Sequence, residues 1–399
     1  MRIKPDIVLK GKEHEHVENL ELGIVEEYGG QLKFAGGDSR LSSSSLIKSE
    51  TEYDDIGSQT GREFRDRHQI FSAQLAEAVN AMSTINTLVI GDLIVDRYVD
   101  CQPIGLSSED PTVVVAPLEE ESFVGGAGIV AAHSAMLGGK TYFLSVCGDD
   151  ETGRWAVQRL EEFGVTADVI IDEDRPTTRK TRYRAHNKTL LRLNEFRDHQ
   201  IDSFISGKIL SRVSGYLPEI DLIVFSDFSY GVFSEEMIKK IINSGSNKGV
   251  FLAADSQSSS QIGDICRFPG VDLITPTERE ARLAVRDNVS GLVGVSEKLR
   301  SETGARFIPI TLGSEGVFLH RPDAGVNDWT DDQVPALNSN PVDVSGAGDA
   351  FLISAALSLA SGQDIWKAIY IGSIASSCQV RRVGNKPLLR QELLDELRF

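Results

Sequence analysis

From residue 84 onward, short apolar runs alternate with longer segments in which apolar residues recur every three or four positions. The short runs are rich in branched and aromatic side chains, which is typical of buried strands, and the longer spacing is typical of helices. This alternation predicts an α/β fold with a doubly wound, mainly parallel sheet flanked by helices. Ligands bind such sheets at the carboxyl ends of the strands. The predicted strands are 87–90, 222–225, 250–253, 273–275 and 307–310.

Two further segments, 111–124 and 177–194, have strand-like patterns without helical periodicity. We expect them to form a small β lid on an α/β body that spans 84–399. Before this body, residues 51–83 combine a polar linker with apolar side chains at helical spacing, which predicts an amphipathic helix over 62–82. Residues 1–50 contain too little apolar chain to bury a core alone.

The chain has 399 residues, of which 41% are hydrophobic and 25% charged, as in ordinary folded proteins. Its 59 acidic residues and 41 Lys and Arg residues give a formal net charge of −18. Because polyphosphate repels such an acidic chain, we expect neither a nucleic acid nor an anionic membrane as a partner. The apolar runs are far shorter than the ~20 residues of a membrane helix, and no apolar signal segment is evident, so we expect a cytoplasmic protein.

One stretch is basic against this background, since residues 175–192 contain no acidic side chain. Side chains alternate between the two faces of a strand, so Lys180, Arg182 and Arg184 are expected to project from one side of the lid. Three cations at the mouth of a pocket suit a phosphate dianion. The alternative is a solvated edge that discourages pairing between sheets. The basic residues are Arg175, Arg179, Lys180, Arg182, Arg184, Lys188 and Arg192.

The sequence DVSGAGD at 343–349 precedes an apolar helix. The small residues Gly346, Ala347 and Gly348 allow backbone N–H groups to converge at the start of that helix, where a phosphate or a developing negative charge is favoured. A carboxylate is unexpected in a site that favours anions. Its presence is explained if Asp349 takes a proton from an attacking hydroxyl while the backbone amides hold the transferring phosphoryl group. The alternative is a simple glycine turn with an acidic residue in the first helical turn.

Three ordered motifs carry a family resemblance over about residues 85–399. DVSGAGDAF resembles the C-terminal signature of the ribokinase-like (pfkB) sugar kinases, GGAG at 125–128 resembles their glycine signature, and TLGSEG at 311–316 resembles their nucleotide-contacting segment. The resemblance implies a ribokinase-like fold and a carbohydrate kinase that uses ATP and Mg²⁺. Within the family, GDLIVDRY at 91–98 and the basic stretch most resemble kinases that phosphorylate a heptose 7-phosphate at its anomeric hydroxyl.

The resemblance also implies roles for individual residues, and the basic stretch adds two cations for a substrate phosphate. The implied set is Asp349 as general base, Gly346, Ala347 and Gly348 as anion hole, Thr311, Gly313 and Gly316 on the nucleotide, Asp96, Gly125 and Gly126 on sugar hydroxyls, and Glu280 as an indirect magnesium residue. The two cations from the basic stretch are Lys180 and Arg182.

Five positions depart from the heptose kinases. Ile129 stands where the glycine signature continues to an Asn that contacts the sugar, and Tyr230 stands where a Lys is usual. DSQ at 255–257 replaces Asp-Pro-Lys, and Thr277 replaces the Asn of an Asn-x-x-Glu motif that supports magnesium and phosphates. Since pocket hydrogen bonds set substrate discrimination, two alternatives stay open. They are a kinase of this fold for a different sugar or a nucleoside, and a catalytically weak regulatory or binding protein.

Residues 1–50 resemble the closing part of a cytidylyltransferase-type nucleotidyltransferase, in KPDIVLKG at 4–11, YGG at 28–30 and SSSSLI at 42–47. The HxGH motif that holds nucleotide phosphates in that family is absent, so we expect no nucleotide transfer by this segment alone. The segment is either a remnant or part of a larger enzyme, completed by a nucleotidyltransferase chain or a fused domain. The lid often pairs between subunits in the kinase family, which implies a homodimer.

Overall fold

The computed structural model describes residues 7–11, 20–35, 56–186, 188–258, 261–323 and 329–397. The chain divides into two compact units, residues 1–58 and 59–399. Within the described ranges, no helix is both long enough and apolar enough to cross a membrane.

The described part of the first unit is a β-α-β segment. Strand β1 (Ile7–Gly11) pairs in parallel with β2 (Gln31–Ala35), and helix α1 (Leu20–Glu27) lies between them in the chain. A helix between two parallel strands is the smallest repeating piece of an α/β fold. Two of the motifs noted in residues 1–50 are not fully among the described residues. The motif at 4–11 lies partly outside them, and the motif at 42–47 lies wholly outside them.

The second unit contains the remaining elements. Its strands are β3 (Thr87–Gly91), β4 (Leu93–Leu106), β5 (Val113–Gly126), β6 (Thr141–Cys147), β7 (Thr166–Ile171), β8 (Thr178–Ala185), β9 (Lys188–Glu195), β10 (Leu222–Asp227), β11 (Phe251–Ser256), β12 (Leu273–Ile274), β13 (Ile310–Thr311), β14 (Val317–His320) and β15 (Asp331–Val334). Its helices are α2 (Ile56–Arg67), which begins at the boundary, α3 (Ser72–Ala81), α4 (Ala127–Leu137), α5 (Glu151–Glu162), α6 (Ser203–Tyr216), α7 (Glu235–Ser246), α8 (Glu278–Val285), α9 (Leu292–Thr303), α10 (Ala347–Ala360), α11 (Ile365–Val380) and α12 (Arg390–Glu396).

The central sheet has the strand order β12-β11-β10-β3-β6-β7, and all its neighbouring strands are parallel. Side chains of β3 alternate between two buried layers. Val89 packs in the layer that contains α4, α10 and α11, whereas Leu88 and Ile90 pack in the layer that contains α6, α7 and α9. Helices on both faces confirm the predicted doubly wound sheet. Parallel bridges from Leu273 to Phe307 and from Thr277 to Thr311 connect this sheet to the antiparallel order β13-β14-β15.

The lid is a four-stranded sheet with the order β5-β4-β8-β9. Strand β4 pairs antiparallel with β5 and parallel with β8, and the sequence patterns had not assigned it to the lid. The first part of β4 has the buried, apolar character of a body strand, since residues from Leu93 to Val99 are mostly buried. Residues from Gln102 to Leu106 are exposed. Strand β4 therefore starts buried against the body and extends outward as part of the lid sheet.

The helix expected over 62–82 is interrupted. The structure contains two helices, α2 and α3, separated by residues 68–71. Gln69 adopts a left-handed conformation with φ 53°, which ends α2 without a glycine. The side chain of Gln74 then accepts a hydrogen bond from the Phe71 N–H at 3.3 Å and starts α3. Apolar spacing continues across the break, so periodicity alone does not reveal it.

Candidate active site

A cavity of about 260 Å³ opens at the carboxyl edge of the central sheet, between the first turn of α10 and the lid. This edge is where doubly wound sheets bind ligands. The lining residues are Ile94, Asp96, Gly126, Lys180, Arg182, Arg192, Phe228, Asp255, Gln257, Thr275, Thr277, Glu280, Thr311, Val344, Ser345, Gly346, Gly348, Asp349 and Asn385.

Asp349 lies in the first turn of α10 and is only 5% exposed. Its Oδ1 accepts a hydrogen bond from Nε2 of Gln257 at 2.7 Å. Burial raises the pKa of Asp349 to about 7, and the negative charge of Asp96 adds to the rise, whereas the Gln257 amide and the Lys180 ammonium oppose it. A carboxyl group with a pKa near neutrality is suited to exchange a proton with a bound hydroxyl.

The start of α10 has the backbone geometry that favours an anion. Gly346 precedes the helix in a left-handed conformation with φ 76°, which favours glycine. A Cβ at this position would lie 2.4 Å from Oδ1 of Asn385. The Ala347 N–H already donates to the carbonyl of Val344 at 3.3 Å. The N–H groups of Gly348 and Asp349 follow in the first turn, where backbone donors lack the partner four residues earlier and favour negative charge.

Asp96 occupies the opposite side of the cavity and is 5% exposed. Its Oδ1 forms an ion pair with Arg182, and its Oδ2 accepts a hydrogen bond from Nδ2 of Asn385 at 3.1 Å. The carboxylate lies against Gly125 on the neighbouring strand, where a Cβ would lie 2.2 Å from Oδ2. Asp96 is therefore held from two sides, and its position explains the glycine beside it.

Lys180 is the register partner of Asp96 on β8 and is also 5% exposed. Its Nζ lies 4.9 Å from the ring centroid of Phe228 and 5.3 Å from that of Tyr230. Aromatic faces attract an ammonium group electrostatically. The tyrosine that departs from the heptose kinases therefore packs beneath a cavity cation, and its ring also contacts Phe196 at 4.9 Å.

The three cations expected on one side of the lid are not equivalent. Arg182 lines the cavity but is paired with Asp96, and Arg184 does not belong to the cavity lining. Arg184 lies over the Tyr98 ring at 5.0 Å, next to Arg182 at 5.1 Å. Arg192 lines the cavity instead, because β9 places it opposite Arg182.

Of the three residues predicted to contact the nucleotide, one lines the cavity and two lie in a turn. Thr311 lines the cavity at the end of β13, beside Thr277. Gly313 and Gly316 lie outside the lining and have φ values of 61° and 97°. A Cβ at Gly316 would lie 2.0 Å from the carbonyl oxygen of Val334, so this glycine allows β15 to approach the turn.

Glu280 is fully engaged in hydrogen bonds. Its Oε1 accepts from the Ser258 N–H at 2.6 Å, and its Oε2 accepts from the N–H and hydroxyl of Thr277 at 2.9 and 2.7 Å. Thr277 is the N-cap of α8 and forms a capping box with Glu280. Thr277 therefore caps α8 and orients the Glu280 carboxylate.

Negative groups are crowded at this end of the cavity. Burial raises the pKa of Asp255 well above its ordinary value, and the charges of Glu280 and Asp349 raise it further. Among the described residues, no group of three or more His, Cys, Asp or Glu side chains is arranged to hold a metal ion by itself. Such crowding suits a ligand that brings a cation with it.

Most of the residues predicted from the sequence meet in this cavity. Four of them do not line it, and one departure, Ile129, is completely buried in the hydrophobic core. The predicted residues that line the cavity are Asp349, Gly346, Gly348, Thr311, Asp96, Gly126, Lys180, Arg182 and Glu280, and those outside it are Ala347, Gly125, Gly313 and Gly316.

Sequence reasoning missed Asn385, which contacts Asp96 across 289 positions of the chain. The only local signal is the Gly-Asn pair after α11, which is typical of a turn. The sequence identifies Gln257 as a departure but not its contact with Asp349, because Gln257 follows β11 and Asp349 lies 92 positions later in the first turn of α10.

Comparison with known proteins identifies the family of the chain. Residues 85–391 match the pfkB family of carbohydrate kinases. The "Bifunctional protein HldE" of Helicobacter hepaticus is 30% identical over 314 residues, which cover 77% of this chain and 62% of that protein. The protein of the same name from Nitratiruptor is 29% identical over 309 residues, which cover 77% of this chain and 63% of that protein. The chain thus spans less than two thirds of the length of these relatives.

Solved structures share the fold at low sequence identity. Ribokinase of Arabidopsis thaliana, solved with ribose and ATP, has a TM-score of 0.62 at 18% identity and covers 79% of this chain and 99% of its own. Phosphofructokinase-2 of Escherichia coli, solved with substrates and products, has a TM-score of 0.64 at 16% identity and covers 79% of this chain and 98% of its own. The fold is therefore ribokinase-like, and the chain belongs to the pfkB family of carbohydrate kinases.

Proposed function

We propose that this protein transfers the γ-phosphoryl group of ATP to a hydroxyl of a sugar phosphate, with a heptose 7-phosphate as the favoured acceptor. The observation that carries the proposal is the position of Asp349. This buried carboxyl group, with a pKa of about 7, lies at the start of a glycine-lined helix and shares one cavity with Asp96 and Lys180. The residues proposed as base, anion site and sugar site thus share one cavity, which supports the proposal.

The chemistry follows from these positions. Asp349 accepts the proton of the acceptor hydroxyl as the hydroxyl oxygen bonds to the γ-phosphorus. The bond from that phosphorus to the β,γ-bridging oxygen breaks, and ADP leaves with the bonding electrons. The N–H groups of Gly348 and Asp349 stabilise negative charge on the transferring group.

The cavity also suits the Mg²⁺ that accompanies ATP. Bound with the nucleotide, the ion would neutralise phosphate charge. Glu280 would hold it only through water, because both of its carboxylate oxygens already accept protein hydrogen bonds. The crowded carboxyl groups around Asp255 fit this arrangement, since an added cation offsets their mutual repulsion.

A phosphorylated acceptor is supported by the cations that line the cavity. Lys180 and Arg192 both reach the lining, and Arg182 orders the Asp96 carboxylate that would bind sugar hydroxyls. The resemblance of the motif at 91–98 favours a heptose among the phosphosugars. A panel of sugars, sugar phosphates and nucleosides with ATP, followed by ADP release, tests the proposal. Turnover with a heptose 7-phosphate supports it, whereas preference for an unphosphorylated sugar or a nucleoside would contradict the assigned acceptor.

Lys180→Ala is expected to raise KM for a heptose 7-phosphate about tenfold or more, because a charged contact to phosphate contributes about 1.5–3 kcal/mol. KM for ATP is expected to stay near the wild-type value. Lys188→Ala removes an exposed lysine from the same lid and is the matched control. An unchanged KM for the phosphosugar in Lys180→Ala would remove the phosphate-binding role from this lysine.

The N-terminal unit is proposed to belong to a larger assembly. Its described part is a single β-α-β segment, and the relatives named bifunctional are longer than this chain. We propose that it is completed by a nucleotidyltransferase domain, either fused or supplied by another chain. An adenylyltransferase assay on the purified chain tests this, since clear turnover without a partner would contradict it.

The lid is proposed to pair in a homodimer, because its outer part exposes large apolar side chains. Leu106, Leu118 and Leu191 are 71%, 65% and 59% exposed. We expect a solution mass of twice 43.6 kDa for the wild type and a monomer for the double variant Leu118→Arg, Leu191→Arg. Val289→Arg, at an exposed position outside the lid, is the control. A monomeric wild type in sedimentation equilibrium would contradict the dimer.

A further inference from the structure

Gln257 provides the one side-chain hydrogen bond described for the carboxylate of Asp349. The two residues lie 92 positions apart, and Nε2 of Gln257 is 2.7 Å from Oδ1 of Asp349. An ionised carboxylate only accepts hydrogen bonds, so the amide nitrogen of Gln257 must face it. The contact therefore favours the ionised form of Asp349, which is the form that can accept a proton.

The backbone around Gln257 is anchored on both sides. The Gln257 N–H donates to the carbonyl of Asp227 at 2.9 Å, and the next N–H, that of Ser258, donates to Glu280 at 2.6 Å. The amide group thus projects from a fixed loop at the end of β11. A group held by its surroundings can orient a neighbour with little loss of conformational entropy.

The other groups that face Asp349 are charged. Asp96 on β4 disfavours the ionisation of Asp349, and Lys180 on β8 favours it. Asp255 on β11 is a third titratable neighbour, and its own pKa is raised by burial and by the charges of Glu280 and Asp349. Gln257 differs from them because it is neutral and directional. It can fix the rotation of the carboxylate without removing the basicity that the reaction needs.

We infer that Gln257 is a positioning residue for the general base, which holds Oδ1 of Asp349 and thereby directs Oδ2 at the acceptor hydroxyl. This inference rests on the proposed function, because it presumes that Asp349 accepts a proton. Gln257 itself contributes no proton and no charge to the reaction.

The first readout is the pH dependence of turnover with ATP and a heptose 7-phosphate. Gln257→Leu is expected to lower kcat about tenfold to a hundredfold, because a hydrogen bond to a charged group is lost. The acid limb of the kcat/KM profile, which follows ionisation of Asp349, is expected to move to higher pH by about one unit or more. Gln257→Lys is expected to move the same limb to lower pH, because its ammonium favours the carboxylate.

The matched control is Gln261→Leu, which removes a similar amide donor from Asp198 outside the cavity. A merely structural role for Gln257 would lower the unfolding temperature without moving the acid limb. Acid limbs that coincide in the wild type, Gln257→Leu and Gln257→Lys would overturn the inference.

A second readout does not require activity. The unfolding free energy of each full-length protein is measured against pH and compared with the same protein carrying Asp349→Asn. The pH above which the stability difference from the matching Asp349→Asn protein stops changing follows the folded-state pKa of Asp349, and it is expected to be higher in Gln257→Leu than in the wild type. If the difference curves of the wild type and of Gln257→Leu coincide, Gln257 does not stabilise the ionised carboxylate of Asp349, and the inference is overturned. Absence of turnover in the wild type would instead overturn the proposed function, and these curves would still decide whether Gln257 holds the carboxylate.

Discussion

Replacing Asp349 by Asn is expected to lower kcat about a thousandfold while leaving the affinity for ATP near the wild-type value. The amide preserves the shape of the side chain in its buried position but cannot accept a proton from the acceptor hydroxyl. Single-turnover kinetics with a heptose 7-phosphate and equilibrium binding of ATP measure the two effects separately.

The same variant separates loss of chemistry from loss of folding. The pKa of Asp349 is raised to about 7 in the folded state, so the wild type loses stability as pH rises from about 4 to about 7 and changes no further above that range. Asp349→Asn lacks this loss and is expected to be more stable than the wild type at pH 8, by up to about 4 kcal/mol. Asp174→Asn, an exposed carboxylate, is the control. Retention of more than a tenth of wild-type kcat would contradict the assignment of the base.

Gly346→Ala is expected to lower kcat about a hundredfold or more and to reduce the unfolding temperature. Alanine disfavours the φ of 76°, and its Cβ would lie 2.4 Å from Oδ1 of Asn385. Relief of that contact must displace either the first turn of α10 or the Asn385 side chain that holds Asp96. Loss of a single oxyanion-hole donor costs about 10²-fold to 10³-fold in kcat in other enzymes, and displacing the N–H groups of α10 is expected to act in the same way.

The matched substitution is Gly207→Ala on the exposed face of α6, where no atom lies within 4 Å of the added Cβ. Alanine there is expected to stabilise the protein slightly, because glycine is disfavoured inside helices by about 0.5–1 kcal/mol. Wild-type kcat and stability in Gly346→Ala would show that the start of α10 tolerates displacement and is not an aligned anion site.

Local sequence patterns predicted the parts of this protein that depend on local physics. The β-branched run of β3 needs only its own apolar side chains to indicate a buried strand. The glycines before Asp349 indicate converging amides, because only small residues allow that close approach. Both signals lie within a few consecutive residues.

The features that were not predicted depend on residues distant in the chain. Arg184 and Arg192 lie in the same basic stretch, and only the pairing of β8 with β9 determines that Arg192 reaches the cavity. The contact of Asn385 with Asp96 joins a loop to strand β4, and that of Gln257 with Asp349 joins a loop to helix α10. No periodicity records such contacts, because each is set by the packing of whole elements.

The most direct test of the central claim is identification of the product formed from ATP and a heptose 7-phosphate. Phosphorus NMR of the reaction mixture is expected to show one ADP and one newly phosphorylated heptose hydroxyl per turnover with the wild type, and neither signal above background with Asp349→Asn. ATP consumption without a new sugar phosphate, or equal product from both proteins, would contradict phosphoryl transfer by Asp349 in this cavity.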